Sequence, residues 1–122
     1  MEILYVEDNP EDALMFETFL GDMANIEVCS SPYSALNMIS IRDFDYVVLD
    51  LHLRLGSSAV VAQTLIDRGI PFMFFTSADK DDVVQEVGEE LLDRCLFKNG
   101  DRDPYLTLKS RVSEEIGSLQ VC

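Results

Sequence analysis

The sequence predicts an α/β fold in which one parallel sheet of five strands is covered by helices on both faces. Short apolar runs without polar alternation, typical of strands buried on both sides, recur along the chain. Each run is followed by a longer amphipathic segment, and this alternation indicates β-α units rather than hairpins. Because crossovers between parallel strands are right-handed, few topologies remain. The length of 122 residues suits a single domain.

The predicted strands are apolar runs that end at a polar residue or a turn. The third is rich in β-branched residues, which favour strands. In chain order they are EILYV (2–6), IEVCS (26–30), YVVLD (46–50), PFMFFT (71–76) and RCLFK (94–98).

The predicted helices start at capping signals. Asn9, Ser31 and Asp103 each precede a proline, a pair that suits a helix N-cap and its first position. Glu11 and Asp12 fall in the first turn of the first helix, where acids favour the helix dipole, and we assign them no further role. The helices are predicted from Pro10 to near Gly21, from Pro32 through Ile39, over AVVAQTLIDR before Gly69, over KDDVVQEVGEELLD (80–93) with a weak point at Gly88, and from Pro104 to about Ser118.

Composition limits the possible partners. With 23 acidic and 9 basic residues, the chain has a formal charge of −14. Such a surface repels nucleic-acid phosphates and anionic membranes, so we expect no direct nucleic-acid or membrane partner. Basic protein surfaces and cations are the expected partners instead.

The cysteines and the N-terminus predict a cytoplasmic protein. Cys29, Cys95 and Cys122 are far apart and odd in number, which fits a reducing compartment and offers no zinc-site pair. The start of the chain, MEILYVED, lacks the basic residues and long apolar stretch of a signal peptide. No segment approaches the roughly 20 apolar residues that a membrane span requires.

Polar side chains follow four of the predicted strands at their carboxyl ends. They are Glu7 and Asp8 after the first strand, Asp50 at the third, Thr76 at the fourth and Lys98 at the fifth. In an open parallel sheet these ends share one edge, where ligands bind near a switch in strand order. We therefore expect these side chains to form one site.

The residue types at this edge point to phosphoryl chemistry. Three carboxylates in one cleft repel each other, and a hard divalent cation such as Mg²⁺ relieves that repulsion. Asp50 beside such a cation can act as a nucleophile toward phosphorus. The Thr76 hydroxyl and the Lys98 ammonium would each take one phosphoryl oxygen. Taken singly, each residue also has a plainer interpretation as a solvated strand end, a cap or a surface charge.

The ordered motifs VED, YVVLD, FFTSA and LFK resemble the receiver domain of bacterial response regulators, and the resemblance covers essentially all of residues 1–122. It implies a single-domain, CheY-like protein with the flavodoxin-like (βα)5 fold and strand order 2-1-3-4-5. It also implies that Asp50 accepts a phosphoryl group from a phosphohistidine on a partner histidine kinase or phosphotransfer protein. A downstream protein target would then bind the face formed by the fourth helix, fifth strand and fifth helix.

The same resemblance implies roles for further groups. Asp8 would bind Mg²⁺ directly, Glu7 partly through water and His52 through its backbone carbonyl, with Asp50 as a further ligand. The Ser77 N–H would bind phosphoryl oxygens.

Some positions depart from the family pattern. Asn99 follows the lysine where receivers usually have proline, so the loop would lose its fixed geometry, although Asn-Gly forms turns in its own right. Cys95 replaces an aromatic residue that moves inward on activation, and we interpret it as a small buried apolar residue. The segment PFMFFTS resembles the PFxFATG signature of a subgroup of alphaproteobacterial receivers, with Phe75 and Ser77 replacing alanine and glycine.

Two other functions compete with the switch. A degenerate receiver would keep the fold as a protein-interaction module without being phosphorylated. A haloacid-dehalogenase-type phosphatase also uses an aspartate after a parallel strand, but it needs a second acid where this chain has His52, and a cap insert. We predict a switch that phosphorylates and dephosphorylates only itself, rather than an enzyme acting on other substrates.

Overall fold

The computed structural model describes residues 1–53, 56–99 and 102–120, with side chains as far as residue 117 in the last helix. Its main sheet has five parallel strands in the order β2-β1-β3-β6-β7. These strands are β1 Glu2–Val6, β2 Asn25–Cys29, β3 Tyr46–Leu49, β6 Phe72–Thr76 and β7 Cys95–Phe97. Numbered within this sheet alone, the order is 2-1-3-4-5. The predicted fold class and strand order are therefore confirmed, and no strand end differs from the prediction by more than one residue.

Helices connect successive strands of the sheet. They are α1 Pro10–Leu20, α2 Pro32–Ile41, α3 Ser58–Arg68, α4 Lys80–Val87 and α5 Pro104–Gln120. The Asn9 side chain accepts hydrogen bonds from the first turn of α1, and Ser31 caps α2 in the same way. Gly69 ends α3 in the left-handed conformation, with φ 69°. Within the described residues, no helix is both long and apolar enough to cross a membrane.

Two segments differ from the sequence-based prediction. The helix predicted over 80–93 divides at Gly88, whose φ of 98° is incompatible with a helix, and continues as a 3₁₀ segment over Glu89–Arg94. A short antiparallel hairpin of β4 His52–Leu53 and β5 Gly56–Ser57 lies between β3 and α3, where none of the five predicted strands falls. Its two strands lie outside the main sheet.

Side chains alternate between two hydrophobic cores on opposite faces of the sheet. Leu4, Val47 and Phe74 face the core that α2, α3 and α4 cover. Tyr5 and Val48 face the core that α1 and α5 cover. Because both faces are covered, the carboxyl-end edge of the sheet is the place where polar side chains can gather without entering a core.

Candidate functional site

Three carboxylates meet at the carboxyl end of the sheet. Glu7 and Asp8 follow β1, Asp50 follows β3, and one oxygen of each lies within 4.8 Å of the others. The parallel register pairs Val6 with Leu49, so the two strand ends lie side by side. The Asp50 N–H donates to the Val6 carbonyl at 3.0 Å and fixes the start of the loop. The structure thus brings together the three acids that the sequence places at one edge.

Burial controls the electrostatics of this cluster. Glu7 is 3% exposed and Asp50 is 8% exposed. Burial, together with the hydrogen bond to Asp50 and its negative charge, raises the pKa of Glu7 to about 8, and the Lys98 ammonium opposes the rise. At neutral pH the metal-free cluster therefore keeps a proton on Glu7, which allows this carboxyl to donate a hydrogen bond to Asp50.

The donor set fits a hard divalent cation. Three carboxylates this close cannot all ionise without a compensating charge, and oxygen ligands are those that Mg²⁺ prefers. Glu7 and Asp8 also line an open cleft between α1 and the end of β2, so the cluster can be reached from solvent. Glu7, Asp8 and Asp50 are therefore the side chains that could hold Mg²⁺. The role of the His52 carbonyl as a further ligand stays a prediction.

Thr76 lies at the end of β6, the strand next to β3. Its side chain is fully buried, and its Oγ1 accepts a hydrogen bond from the Ala78 N–H at 3.1 Å. Because that bond uses an oxygen lone pair, the hydroxyl keeps its own proton for donation. The Thr76 carbonyl accepts from the Lys98 N–H at 2.7 Å, which joins the ends of β6 and β7.

Asn99 connects the end of β7 to the residue that follows β6. Its side-chain amide donates to the Ser77 carbonyl at 2.8 Å. The contact joins the two strand-end loops at the position where the family pattern has proline. The expected loss of fixed geometry in the loop beyond Asn99 stays a prediction, because residues 100 and 101 lie outside the described part of the chain. Ser77 itself is exposed, and binding of a phosphoryl oxygen by its N–H stays a prediction.

Lys98 projects into the acidic cluster. Its side chain is 11% exposed, and its Nζ lies 3.6 Å from Glu7 Oε2 and 3.2 Å from Asp12 Oδ2. The ammonium also lies 5.0 Å from the centre of the Phe75 ring, where a cation–π attraction contributes. The predicted partner of Lys98 is a phosphoryl group on Asp50, whereas the structure pairs the ammonium with two other acids.

Asp12 is the site residue that sequence analysis missed. It lies in the first turn of α1, as predicted, but its side chain also binds Lys98 and accepts a hydrogen bond from the Tyr105 hydroxyl at 2.9 Å. Glu11 has the same charge in the same turn, and both fit the helix dipole. No local signal separates the two acids, because the difference depends on which side of α1 packs toward α5.

His52 lies on the hairpin that follows Asp50. Its Nε2 is 3.9 Å from Asp82 Oδ2 in α4, and both side chains are exposed. The Ser57 hydroxyl donates a hydrogen bond to the Glu86 carboxylate one turn further along the same helix. The hairpin therefore joins the loop after Asp50 to α4.

Cys95 occupies the strand position where receivers usually have an aromatic residue. It is 8% exposed, and burial raises the pKa of its thiol to about 11. The Sγ donates to the Leu91 carbonyl at 3.4 Å. These observations agree with its interpretation as a small buried apolar residue. Cys122 lies outside the described residues.

Sequence comparison gives a partial match. No family model matches the chain. A curated relative, the sensor histidine kinase GacS of Pseudomonas protegens, is 38% identical over 52 residues. The aligned segment is 42% of this chain and 6% of that kinase, so the chain spans a small part of its relative's length.

Structural comparison finds close matches over nearly the whole chain. The signal receiver domain of a signal transduction histidine kinase from Syntrophus aciditrophicus has a TM-score of 0.83 at 23% identity, with 99% of this chain and 93% of that chain covered. The receiver domain of sensor histidine kinase PA1611 from Pseudomonas aeruginosa PAO1, solved with a magnesium ion in its active site cleft, has a TM-score of 0.81 at 18% identity, with 95% and 97% covered.

A third solved structure is more similar in sequence. The BeF₃-activated conformation of SdrG from Pseudomonas melonis Fr1 is 31% identical, with a TM-score of 0.71 and with 91% of this chain and 94% of that chain covered. The structural neighbours of this chain thus include response regulator receiver domains, and the chain has their fold.

Proposed function

We propose that this chain, whose fold is that of the response regulator receiver domains, is a phosphoryl-accepting switch of a two-component system. The observation that carries the proposal is the meeting of Glu7, Asp8 and Asp50 at one sheet edge, with carboxylate oxygens within 4.8 Å of one another. Thr76 is the last residue of β6 and Lys98 follows β7, the next two strands at the same edge. This set supplies a nucleophile, a cation site, a hydroxyl donor and an ammonium.

In the proposed reaction, a carboxylate oxygen of Asp50 attacks the phosphorus of a phosphohistidine on a histidine kinase or phosphotransfer protein. A new P–O bond forms, the P–N bond breaks, and its electron pair stays on the imidazole nitrogen, which then takes a proton. The product is an acyl phosphate on Asp50. Mg²⁺ held by Glu7, Asp8 and Asp50 would neutralise charge on the phosphoryl oxygens.

The remaining side chains orient and neutralise the phosphoryl group. The Thr76 hydroxyl, which keeps its proton while its oxygen accepts from the Ala78 N–H, donates to one phosphoryl oxygen. The Lys98 ammonium pairs with another, and the Ser77 N–H is a further donor. Hydrolysis of the acyl phosphate resets the switch, so the chain acts on its own aspartate and turns over no other substrate.

The output of the switch is altered protein binding. Phosphorylation shifts the conformation only if the phosphorylated and unphosphorylated states make different contacts. The contacts of His52 and Ser57 with α4 connect that helix to the segment after Asp50. A downstream protein in the cytoplasm would bind the surface that includes α4, β7 and α5. The PFMFFTS segment resembles the PFxFATG signature, and this resemblance supports membership of that receiver subgroup.

A degenerate receiver that binds proteins without phosphorylation is the second candidate. The substitutions at Asn99 and Cys95 favour it, because both replace residues that the family uses for loop geometry and switching. It predicts partner binding that does not depend on Asp50.

Incubation with acetyl phosphate and Mg²⁺, followed by intact-mass measurement, tests the proposal. We expect a gain of one phosphoryl group in the wild type, none in Asp50→Asn, and a normal gain in Asp67→Asn, which removes an exposed acid on α3. Absence of the gain in the wild type, or its persistence in Asp50→Asn, would rule out the proposed reaction. Pull-downs with and without beryllofluoride then separate the switch from the degenerate module.

A further inference from the structure

The Lys98 ammonium rests between two acidic side chains. Its Nζ lies 3.2 Å from Asp12 Oδ2 and 3.6 Å from Glu7 Oε2. Within the described part of the chain, Asp50 is not among its ion-pair partners. The acid that binds Lys98 most closely therefore belongs to α1 and not to the proposed phosphoryl acceptor.

Asp12 is in turn held in place by α5. The Tyr105 hydroxyl donates to Asp12 Oδ1 at 2.9 Å, while Lys98 binds Oδ2. Tyr105 is 8% exposed, and its ring packs edge-on against Phe75 with centroids 5.1 Å apart. The same Phe75 ring lies beneath the Lys98 ammonium. A carboxylate with a positioned donor on each oxygen has little freedom to follow the ammonium if Lys98 moves.

We propose that Asp12 is a positioning residue that retains Lys98 in the resting state and competes with the phosphoryl group on Asp50 for its ammonium. The inference rests on the proposed function. Lys98 has one ammonium, which binds the Asp12 carboxylate that Tyr105 holds, so an ion pair with a phosphoryl group on Asp50 competes with that contact. Phosphorylation therefore weakens the Asp12–Lys98 ion pair. A substitution that removes this ion pair from the unphosphorylated protein should then favour the phosphorylated state.

The substitution Asp12→Asn removes the charge of Asp12 but keeps its size and an acceptor for Tyr105. We expect beryllofluoride, in the presence of Mg²⁺, to bind this variant roughly three- to tenfold more tightly than the wild type, the range expected for loss of one partly buried ion pair. Calorimetric titration measures this affinity, and thermal unfolding checks that each variant is folded.

A double-mutant cycle separates competition for Lys98 from a general loss of negative charge. If Asp12 acts through Lys98, the increase in beryllofluoride affinity caused by Asp12→Asn falls to less than half its size in a Lys98→Ala background. The matched control is Asp22→Asn, which removes an acid that binds Lys109 at 2.8 Å near the opposite end of α1. We expect its affinity for beryllofluoride to equal that of the wild type.

The ¹⁵N signal of the Lys98 ammonium gives a second readout that does not require tight binding. In the ligand-free Asp12→Asn variant we expect this signal to lie closer to its beryllofluoride-bound position than in the ligand-free wild type. An unchanged signal, or an affinity gain of equal size with and without Lys98, would overturn the role of Asp12. A wild type that binds no beryllofluoride with Mg²⁺ would instead overturn the proposed function, and the inference with it.

Discussion

The side chain of Asn99 donates to the backbone carbonyl of Ser77 at 2.8 Å, across the gap between the ends of β6 and β7. Next to it, the Lys98 N–H donates to the Thr76 carbonyl at 2.7 Å. Two consecutive residues thus bind two consecutive residues on the neighbouring strand end. This pair of contacts sets the separation between the hydroxyl and the ammonium that the proposed reaction requires.

We expect Asn99→Ala to slow phosphorylation from acetyl phosphate several-fold and to lower the free energy of unfolding by about 1 kcal/mol, because one hydrogen bond between the two loops is lost. Phosphorylation rates by intact mass and denaturant unfolding measure the two effects. Asn37→Ala, at an exposed position in α2, is the control and should change neither by much. Equal rates for both variants would show that the Asn99 contact does not organise the site.

The raised pKa of Glu7 predicts the pH dependence of stability in the metal-free protein. Burial is the largest cause of the rise, from 4.5 to about 8. Between these values the folded state holds a proton that the unfolded state has released, so the free energy of unfolding falls as pH rises. Denaturant unfolding in a chelator at pH 5, 6.5 and 8 measures the decline, and Glu7→Gln should flatten it. A slope of the same size in Glu7→Gln would assign the decline to other groups.

Mg²⁺ should stabilise the folded protein, because a cation in the cluster offsets the repulsion of three carboxylates. Binding to the folded state alone adds roughly 1.4 kcal/mol for each tenfold excess of Mg²⁺ over its dissociation constant. For a chain of this length we expect each such step to raise the thermal midpoint by about 5 to 6 °C. Scanning calorimetry at matched ionic strength measures the shift. An equal rise in the double variant Glu7→Gln, Asp50→Asn would place the cation elsewhere.

Sequence analysis predicted the parts of the fold that depend on local pattern. The apolar run at 46–50 and the Asn9–Pro10 cap identify a strand and a helix start without any tertiary information, and the structure confirms both. Sequence analysis identifies Gly88 as a weak point of the helix. It does not predict the positive φ of Gly88 or the break there, because a lone glycine in a helical pattern is compatible with a continuous helix.

The parts that were missed depend on contacts between distant segments. The hairpin after Asp50 has few apolar residues to mark it as strand, and it is tied to α4 by His52 and Ser57. The role of Asp12 depends on Tyr105, 93 residues further along the chain. Periodicity and capping carry no information on such pairs, since both concern neighbours within one element.

The two buried cysteines should resist modification in the folded protein. Burial raises the pKa of Cys29 to about 12 and that of Cys95 to about 11, so the reactive thiolate is scarce at pH 8. We expect iodoacetamide to label both residues far more slowly in the native state than in guanidinium, as followed by peptide mass mapping. Native-state labelling of Cys95 at the rate of the unfolded chain would contradict its burial beside Leu91.

Replacement by alanine should change the free energy of unfolding in opposite directions at two glycines. Gly88 has a φ of 98°, a backbone conformation that strains any residue with a Cβ, so Gly88→Ala should lower the free energy of unfolding by about 1 to 3 kcal/mol. Gly117 lies within α5 with nothing within 4 Å of an added Cβ, so Gly117→Ala should raise it by about 0.5 to 1 kcal/mol. Denaturant unfolding of both variants measures the difference. Stabilisation by Gly88→Ala would mean that α4 and the 3₁₀ segment can join into one helix, since only a helical φ at residue 88 makes alanine the better residue.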